Sequence, residues 1–578
     1  MHCVHALCPT GICVSYSGLG YLLYSFTDIL LDKVANIIMG ESKDSGDHRL
    51  LAGAVKAASY NMVLQLMLRI MTFAINAFVL RYISRDMLGV VNVRLTLLYS
   101  TTLFLATEAF DKACLSKLQE HNWSKIINLM WCTVPASMVV SFILGWAWIY
   151  LLVNPDLDLV PNYSFGVVSF AVSTVFVILS RPLYIVGQKC MFVKLKVLSA
   201  GIAELCKCLL TVVLVIFLPQ LGLINFAIAQ MVYGVVMSGV YYAYFIFYIN
   251  KYGKKDDSFP FSSVKQLLPS KQKDSSFVDV HQAWLTFSIF KQSFLKQLLT
   301  EGEKYVMTIF GVLSFADQGI YDIVNNLGSM AARFIFQPIE ESGYLFFSQL
   351  LVRGEPVSKQ KQESCQLAVD VLGYLLKLVI LIGIIILFFG IPYSYLALDL
   401  YGGTMLSSGS GPMLLRWYCL YVLVISVNGT TECFVFAIMS KSQVDRYNRK
   451  MVVFSVIFLL SSLILTAHLG SVGFILANCL NMAARILHSV YYIHEYYKDS
   501  QYKPLQNICP SPYVIGGLIL SLCFTSLSEM QFCCDRGYLF RLLHICIGGA
   551  CLCLTLTIIY LKETAVVTFV KDQYKYRH

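Results

Sequence analysis

The sequence predicts an all-α polytopic membrane protein with about fourteen transmembrane helices. Three observations carry that reading. The 578-residue chain is 57% hydrophobic and 13% charged, above the roughly 45–50% apolar content of soluble domains. Its mean hydropathy is +0.66. Apolar runs near the ~20 residues needed to cross about 30 Å of hydrocarbon recur from end to end. These runs, such as LKLVILIGIIILFFG at 376–390, do not alternate as the ~10-residue strands of a membrane β-barrel do.

Taken in order, spans are expected at 57–80, 88–110, 126–152, 163–187, 196–218 and 223–249. They continue at 283–312, 318–350, 367–390, 411–439, 451–468, 471–495, 512–530 and 540–561. Proline and glycine punctuate the joins, as in NPDLDLVPN (154–162) and LPQLG (218–222). The longest polar stretch, 250–282, reads as a cytoplasmic linker. It separates a six-helix bundle within 39–249 from a second within 283–496, and 497–578 adds two helices and a tail.

Lys and Arg alternate in side from loop to loop. One side holds Lys112, Lys117, Lys125, Lys189, Lys194, Lys196, the linker lysines, Arg353, Lys359, Lys361, Lys441, Arg446, Lys498, Lys503 and the tail. On the other side 153–162, 219–222, 313–317, 391–410 and 469–470 carry none, and only Arg81 and Arg85 in the first loop and Arg536 and Arg541 in the last break the pattern. The positive-inside rule makes the basic side cytoplasmic, with both termini there. The net charge of +10 is therefore topological, which argues against nucleic acid as a partner. Residues 1–38 contain an apolar stretch with no Lys or Arg before it; they read as an alternative start preceding Met39, or else as an interfacial helix.

Charge at bilayer depth is costly and marks function or pairing. Basic groups predominate: Arg69, Arg94, Lys291, Lys296, Arg333, Lys377, Arg416 and Arg485. Lys377 fits snorkelling to an interface, and Arg416 or Arg485 fit either a cavity or a structural pair with Glu432. Arg69, Arg94, Lys296 and Arg333 lie deeper and are the first candidates for an anion-binding cavity, where guanidinium matches phosphate with two donors. Candidate counter-charges are Glu108, Glu303, Glu340, Glu341 and Glu432. The stretch FKQSFLKQLLTEGEKYVM (290–307), taken as one continuous helix, places Lys296, Thr300, Glu303 and Lys304 on a single wet face. Glu303 is then the expected counter-ion of Lys296, with Lys291 and Glu301 pointing elsewhere.

The nineteen cysteines are scattered without metal-ligand spacing and read as apolar packing. Neither a nucleophile–base constellation nor a Walker loop is present, so no catalytic residue, metal site or cofactor is expected.

Several long strings carry a resemblance. They are VVNVRLTLLYSTTLFLATEAF (90–110), FKQSFLKQLLTEGEKYVMT (290–308), QGIYDIVNNLGSMAARFIFQPIEES (318–342), LDLYGGTMLSSGSGPMLLRWYCLYV (398–422), TECFVFAIMSKSQVDRYN (431–448) and GSVGFILANCLNMAARI (470–486). The chain from about Met39 onward closely resembles the Rft oligosaccharide translocation proteins of the endoplasmic reticulum. That family belongs with the multidrug/oligosaccharidyl-lipid/polysaccharide exporters, beside bacterial lipid II flippases. The resemblance implies two pseudo-symmetric bundles around a central cavity that opens alternately to each side of the endoplasmic reticulum membrane. It also implies a substrate, the dolichol-pyrophosphate-linked oligosaccharide of five mannoses and two N-acetylglucosamines, flipped to the lumen for N-glycosylation. The alternative is a non-transporting accessory protein of the same pathway, and enzymes of lipid-linked oligosaccharide assembly are possible partners. On the flippase reading the cavity candidates are Arg69, Arg94, Lys291, Lys296, Arg333, Arg416 and Arg485.

Overall fold

The computed structural model describes residues 71–115, 123–190, 192–252, 259–270, 277–506, 508–534 and 537–575. Among these residues the regular structure is entirely helical. Residues 71–79 form α1, followed by α2 (Arg85–Leu115), α3 (Trp123–Tyr150), α4 (Tyr163–Lys189), α5 (Val193–Phe217) and α6 (Leu223–Tyr252). Next come α7 (Val280–Thr300) and α8 (Gly302–Phe310). The long α9 runs through Phe315–Ala331, a π-helical turn at Ala332–Phe336 and Gln337–Leu350. The remainder is α10 (Gln362–Gly402), α11 (Gly411–Ile438), α12 (Lys441–Leu469), α13 (Val472–Tyr497), α14 (Pro512–Phe532), α15 (Tyr538–Lys562) and α16 (Thr564–Lys575).

Ten of these helices are long and apolar enough to cross a membrane: α2 to α6, α10 to α12, α14 and α15. The expected spans at 283–312, 318–350 and 471–495 fall on α7–α8, α9 and α13, which are more polar. Only the last part of the first expected span, 57–80, lies within the described residues; 1–38 lies outside them altogether.

Local sequence explains the boundaries. Ser440 and Gln443 form a capping box at the start of α12, and Pro412 and Pro512 sit in the first turns of α11 and α14, where a missing N–H costs nothing. Gly311 and Gly470 end α8 and α12 with positive φ, which glycine adopts without steric cost. The stretch read as one helix through 290–307 is broken: α7 ends at Thr300, Glu301 leaves helical geometry (φ −98°, ψ 15°), and α8 starts at Gly302.

One large core draws together α8 to α13, with Val306, Tyr321, Phe347, Leu372, Phe434 and Phe474 buried in it. Smaller cores hold α2, α3, α4 and α6 together around Leu97, Trp148, Val167 and Leu223, and around Leu183, Tyr241, Phe245 and Phe259. The linker is not a free tether. Phe259, Phe261 and Leu267 are buried in the second of these cores, Trp131 Nε1 donates to the Leu267 carbonyl at 2.9 Å, and Asn128 bonds both the amide and the carbonyl of Ser270.

Candidate functional site: a polar cavity between the halves

The two halves meet most tightly on the side opposite the basic loops. There the start of α2 crosses the start of α9. A methyl group on Gly89 collides with the Phe315 carbonyl, and one on Gly319 falls 2.8 Å from the Arg85 carbonyl oxygen, so only glycine permits the approach. Arg85 reinforces the seal by donating to the carbonyls of Met405 (2.7 Å) and Ser408 (3.0 Å), and Arg81 donates to that of Leu400 (3.1 Å).

Beneath this seal lies a cavity of about 470 Å³ enclosed by α1, α2, α5 and α9. Its polar lining includes Asn92, Glu204, Lys207, Asn326 and Arg333. Lys207 lies 4.0 Å from Glu204 and over the Tyr233 ring, 5.6 Å from its centre. Arg333, exposed on the π-helical turn of α9, has no ion partner among the described residues.

A second cavity of about 450 Å³ lies closer to the basic loops, between α2, α4, α5 and α7. Arg181 and Asp111 pair there at 3.1 Å, and Glu108, Lys196, Gln297 and Glu301 complete its polar lining. The two cavities adjoin along α2, where Thr96 lines one and Ser100 the other. Along α5, Lys196, Ala200, Glu204, Lys207 and Thr211 recur at helical spacing and line the pair in turn.

The expected site residues divide. Arg333 faces the first cavity and Glu108 the second, where Glu108 pairs with Lys112 at 2.9 Å. Arg69 lies outside the described residues, as does the side chain of Lys296 within α7. Arg94 is fully buried rather than lining a cavity. It donates to the carbonyls of Val153 (2.6 Å) and Thr308 (3.3 Å), and its guanidinium lies 4.8 Å from the Phe315 ring centre. Lys291 is exposed, with its ammonium 4.7 Å from the Phe287 ring centre.

Arg416 is bonded to Glu529 (2.7 Å) and the Ile391 carbonyl (3.0 Å), and Arg485 forms a two-pronged pair with Glu432 (2.8 and 2.5 Å). Glu303 corrects the helical-wheel expectation. Because the helix breaks at Glu301, it turns into the second half and accepts from Tyr321 (2.9 Å) and from Asn478. Glu340 packs against Gly429, and Glu341 accepts from Gln337 at 2.8 Å. Lys377, expected to snorkel, pairs instead with the buried Glu563 at 2.5 Å. Sequence reasoning missed Lys207, Arg181 and Asp111. The spacing Lys196–Glu204–Lys207 on one face of α5 was the available signal for the first.

An all-helical membrane chain whose two halves enclose a polar, basic-lined cavity has the architecture of a transporter. Two solved structures share the fold. A lipid II flippase MurJ in an inward closed conformation matches with a TM-score of 0.57 at 12% identity, over 86% of this chain and 99% of that one. An inward-facing multidrug resistance MATE family transporter of the MOP superfamily matches with a TM-score of 0.52 at 11% identity, over 76% and 99%. The chain belongs to the Rft protein family, whose sequence profile matches residues 53–573. The Man(5)GlcNAc(2)-PP-dolichol translocation protein RFT1 of Xenopus tropicalis is 50% identical over 92% of this chain and 99% of its own length. The Mus musculus protein of that name is 50% identical over 91% and 98%. The Saccharomyces cerevisiae one is 25% identical over 79% and 85%.

Proposed function

We propose that this chain translocates the dolichol-pyrophosphate-linked five-mannose, two-N-acetylglucosamine oligosaccharide across the endoplasmic reticulum membrane, from the cytosolic to the lumenal leaflet. The observation that carries the reading is the cavity between the halves, where Lys207, beside Glu204, and Arg333, without an ion partner among the described residues, meet amide and hydroxyl side chains. A pyrophosphate cannot be stripped of water in hydrocarbon without compensating charge. Lys207 and Arg333 supply that charge at mid-depth, while Asn92, Asn326 and Thr96 offer hydrogen bonds to sugar hydroxyls and the dolichyl chain stays in lipid. Near-full-length identity to proteins named for this translocation supports the substrate.

In this reading the basic loops and both termini face the cytosol. The Arg85 seal then closes the lumenal side, and the second cavity, with Lys196 and Arg181, is the cytosolic approach. The halves 39–249 and 283–496 rock against each other, with 497–578 attached to the second. Consumption of the lipid in the lumen supplies the driving force, and the assembly enzymes that make and extend it are the expected partners.

The test is reconstitution of the purified chain in vesicles with labelled glycolipid, followed by lectin accessibility. Wild type is expected to move the label and Lys207→Gln with Arg333→Gln to fail while remaining folded. Movement no faster than in empty vesicles, or unaffected by the double variant, sinks the mechanism. Glycolipid binding without movement assigns the accessory role instead.

A further inference from the structure

A further cavity of about 590 Å³ lies apart from the two between the halves, on the basic side, where the start of α10, the 501–506 loop and α16 converge. Its depth is fixed by charge. The run from Leu378 to Leu398 is uncharged and spans roughly 31 Å at 1.5 Å per residue, one hydrocarbon thickness. Both charges that bracket it are paired to the last helical hairpin: Lys377 to Glu563 at 2.5 Å, and Asp399 to Arg541 at 2.8 Å. The cavity opens directly beside Lys377, at the level of lipid headgroups.

The lining carries both signs of charge. Lys377 is neutralised by Glu563. Lys503 is exposed and has no ion partner among the described residues. Asp370 is held by the Gln366 amide, which donates to its two carboxylate oxygens at 3.0 and 3.1 Å. Tyr374 and Tyr502 stand in the same wall, Tyr374 stacked on Phe569 of α16 with ring centres 5.0 Å apart. A lone cation at a negative membrane surface suits an anionic headgroup; a cation and a fixed carboxylate beside two tyrosines suit a phosphate joined to an ammonium.

We propose that this cavity is a binding site for a zwitterionic phospholipid headgroup. Lys503 takes the phosphodiester, and Asp370 with Tyr374 takes the ammonium. The acyl chains enter the hydrocarbon past Lys377, along the uncharged Leu378–Leu398 run of α10. The site is separate from the glycolipid cavity and stands whether or not the chain translocates anything.

The test uses the full chain in nanodiscs of phosphatidylcholine or phosphatidylglycerol, extracted into detergent, with retained lipid counted by native mass spectrometry. Phosphatidylcholine is expected to be retained, and Asp370→Asn with Lys503→Gln is expected to weaken retention about tenfold, the combined factor for losing two solvent-exposed charge contacts. Arg333→Gln is expected to leave it unchanged. A photoactivatable phosphatidylcholine headgroup should crosslink the wild-type chain within 366–377 and 501–506, which keeps the test decisive if the double variant misfolds. Equal retention in wild type and variant, a preference for phosphatidylglycerol, displacement by inorganic phosphate alone, or crosslinks confined to other helices would overturn the assignment.

Discussion

Replacing Arg485 by methionine separates the intramembrane charges that build the fold from those that serve cargo. Arg485 grips Glu432 with Nε (2.8 Å) and Nη2 (2.5 Å), and Tyr447 donates to the same carboxylate. The two side chains are 21% and 10% exposed. Removing the guanidinium leaves the carboxylate with Tyr447 and the Asn428 amide, 3.2 Å away. Two charge-assisted hydrogen bonds at about 1.5–3 kcal/mol each are lost, matching the ~3–5 kcal/mol cost of breaking a buried ion pair. Adding Glu432→Gln removes the stranded charge, so the double variant is expected to lose less than Arg485→Met alone, the coupling a mutant cycle measures. The assay is equilibrium unfolding of the purified chain in mixed micelles, with glycolipid binding counted per folded molecule. A double variant that loses the sum of the two single losses refutes this reasoning. So does an Arg485→Met chain of full stability that has lost only glycolipid binding.

Three further outcomes are expected. Arg85→Ala forfeits its bonds to the Met405 and Ser408 carbonyls, so a cysteine at Asn92 should be labelled about tenfold faster from the side opposite the basic loops; an unchanged rate means the seal does not depend on Arg85. Gly319→Ala, whose methyl would fall 2.8 Å from the Arg85 carbonyl oxygen, should open the same side and raise the same labelling rate without loss of helix by circular dichroism. Asn128→Ala loses its bonds to Ser270 and to the Phe277 carbonyl (2.8 Å), and should speed tryptic cleavage after Lys265 severalfold; equal rates refute the packed-linker account.

The helices were legible because crossing about 30 Å of hydrocarbon demands long apolar runs, and that demand is written locally. Their polar interruptions were less so. In FKQSFLKQLLTEGEKYVM only Gly302 hints at two helices rather than one, and the break at Glu301 follows from where α8 must pack: Gly302 lies against Leu459, and Glu303 reaches Tyr321 and Asn478. Those partners are up to 175 residues away, beyond any helical wheel. The pair between Arg485 and Glu432 was among the alternatives the sequence allowed, and packing selected it. Glu529 as the partner of Arg416 and Glu563 as that of Lys377 depend on how α14 and α15 dock, which periodicity does not encode. Lys207 was readable from its spacing to Lys196 and Glu204, yet the apolar run around it hid it.

The pattern of pairing is itself informative about mechanism. Burying an uncompensated charge is far costlier than burying a paired one, so a membrane protein neutralises the charges it needs only for assembly. Arg416, Arg485, Lys377, Arg181 and Arg541 each have a carboxylate within 3.1 Å, and Arg94 is held by two carbonyls. Among the described residues Arg333 departs from that rule, and Lys207 meets Glu204 only at 4.0 Å. These two basic groups line the same cavity, where water or an anionic guest can reach them. A charge kept available at that depth is economical only if something else arrives to neutralise it. A pyrophosphate, with no compensation of its own in hydrocarbon, requires just such a site.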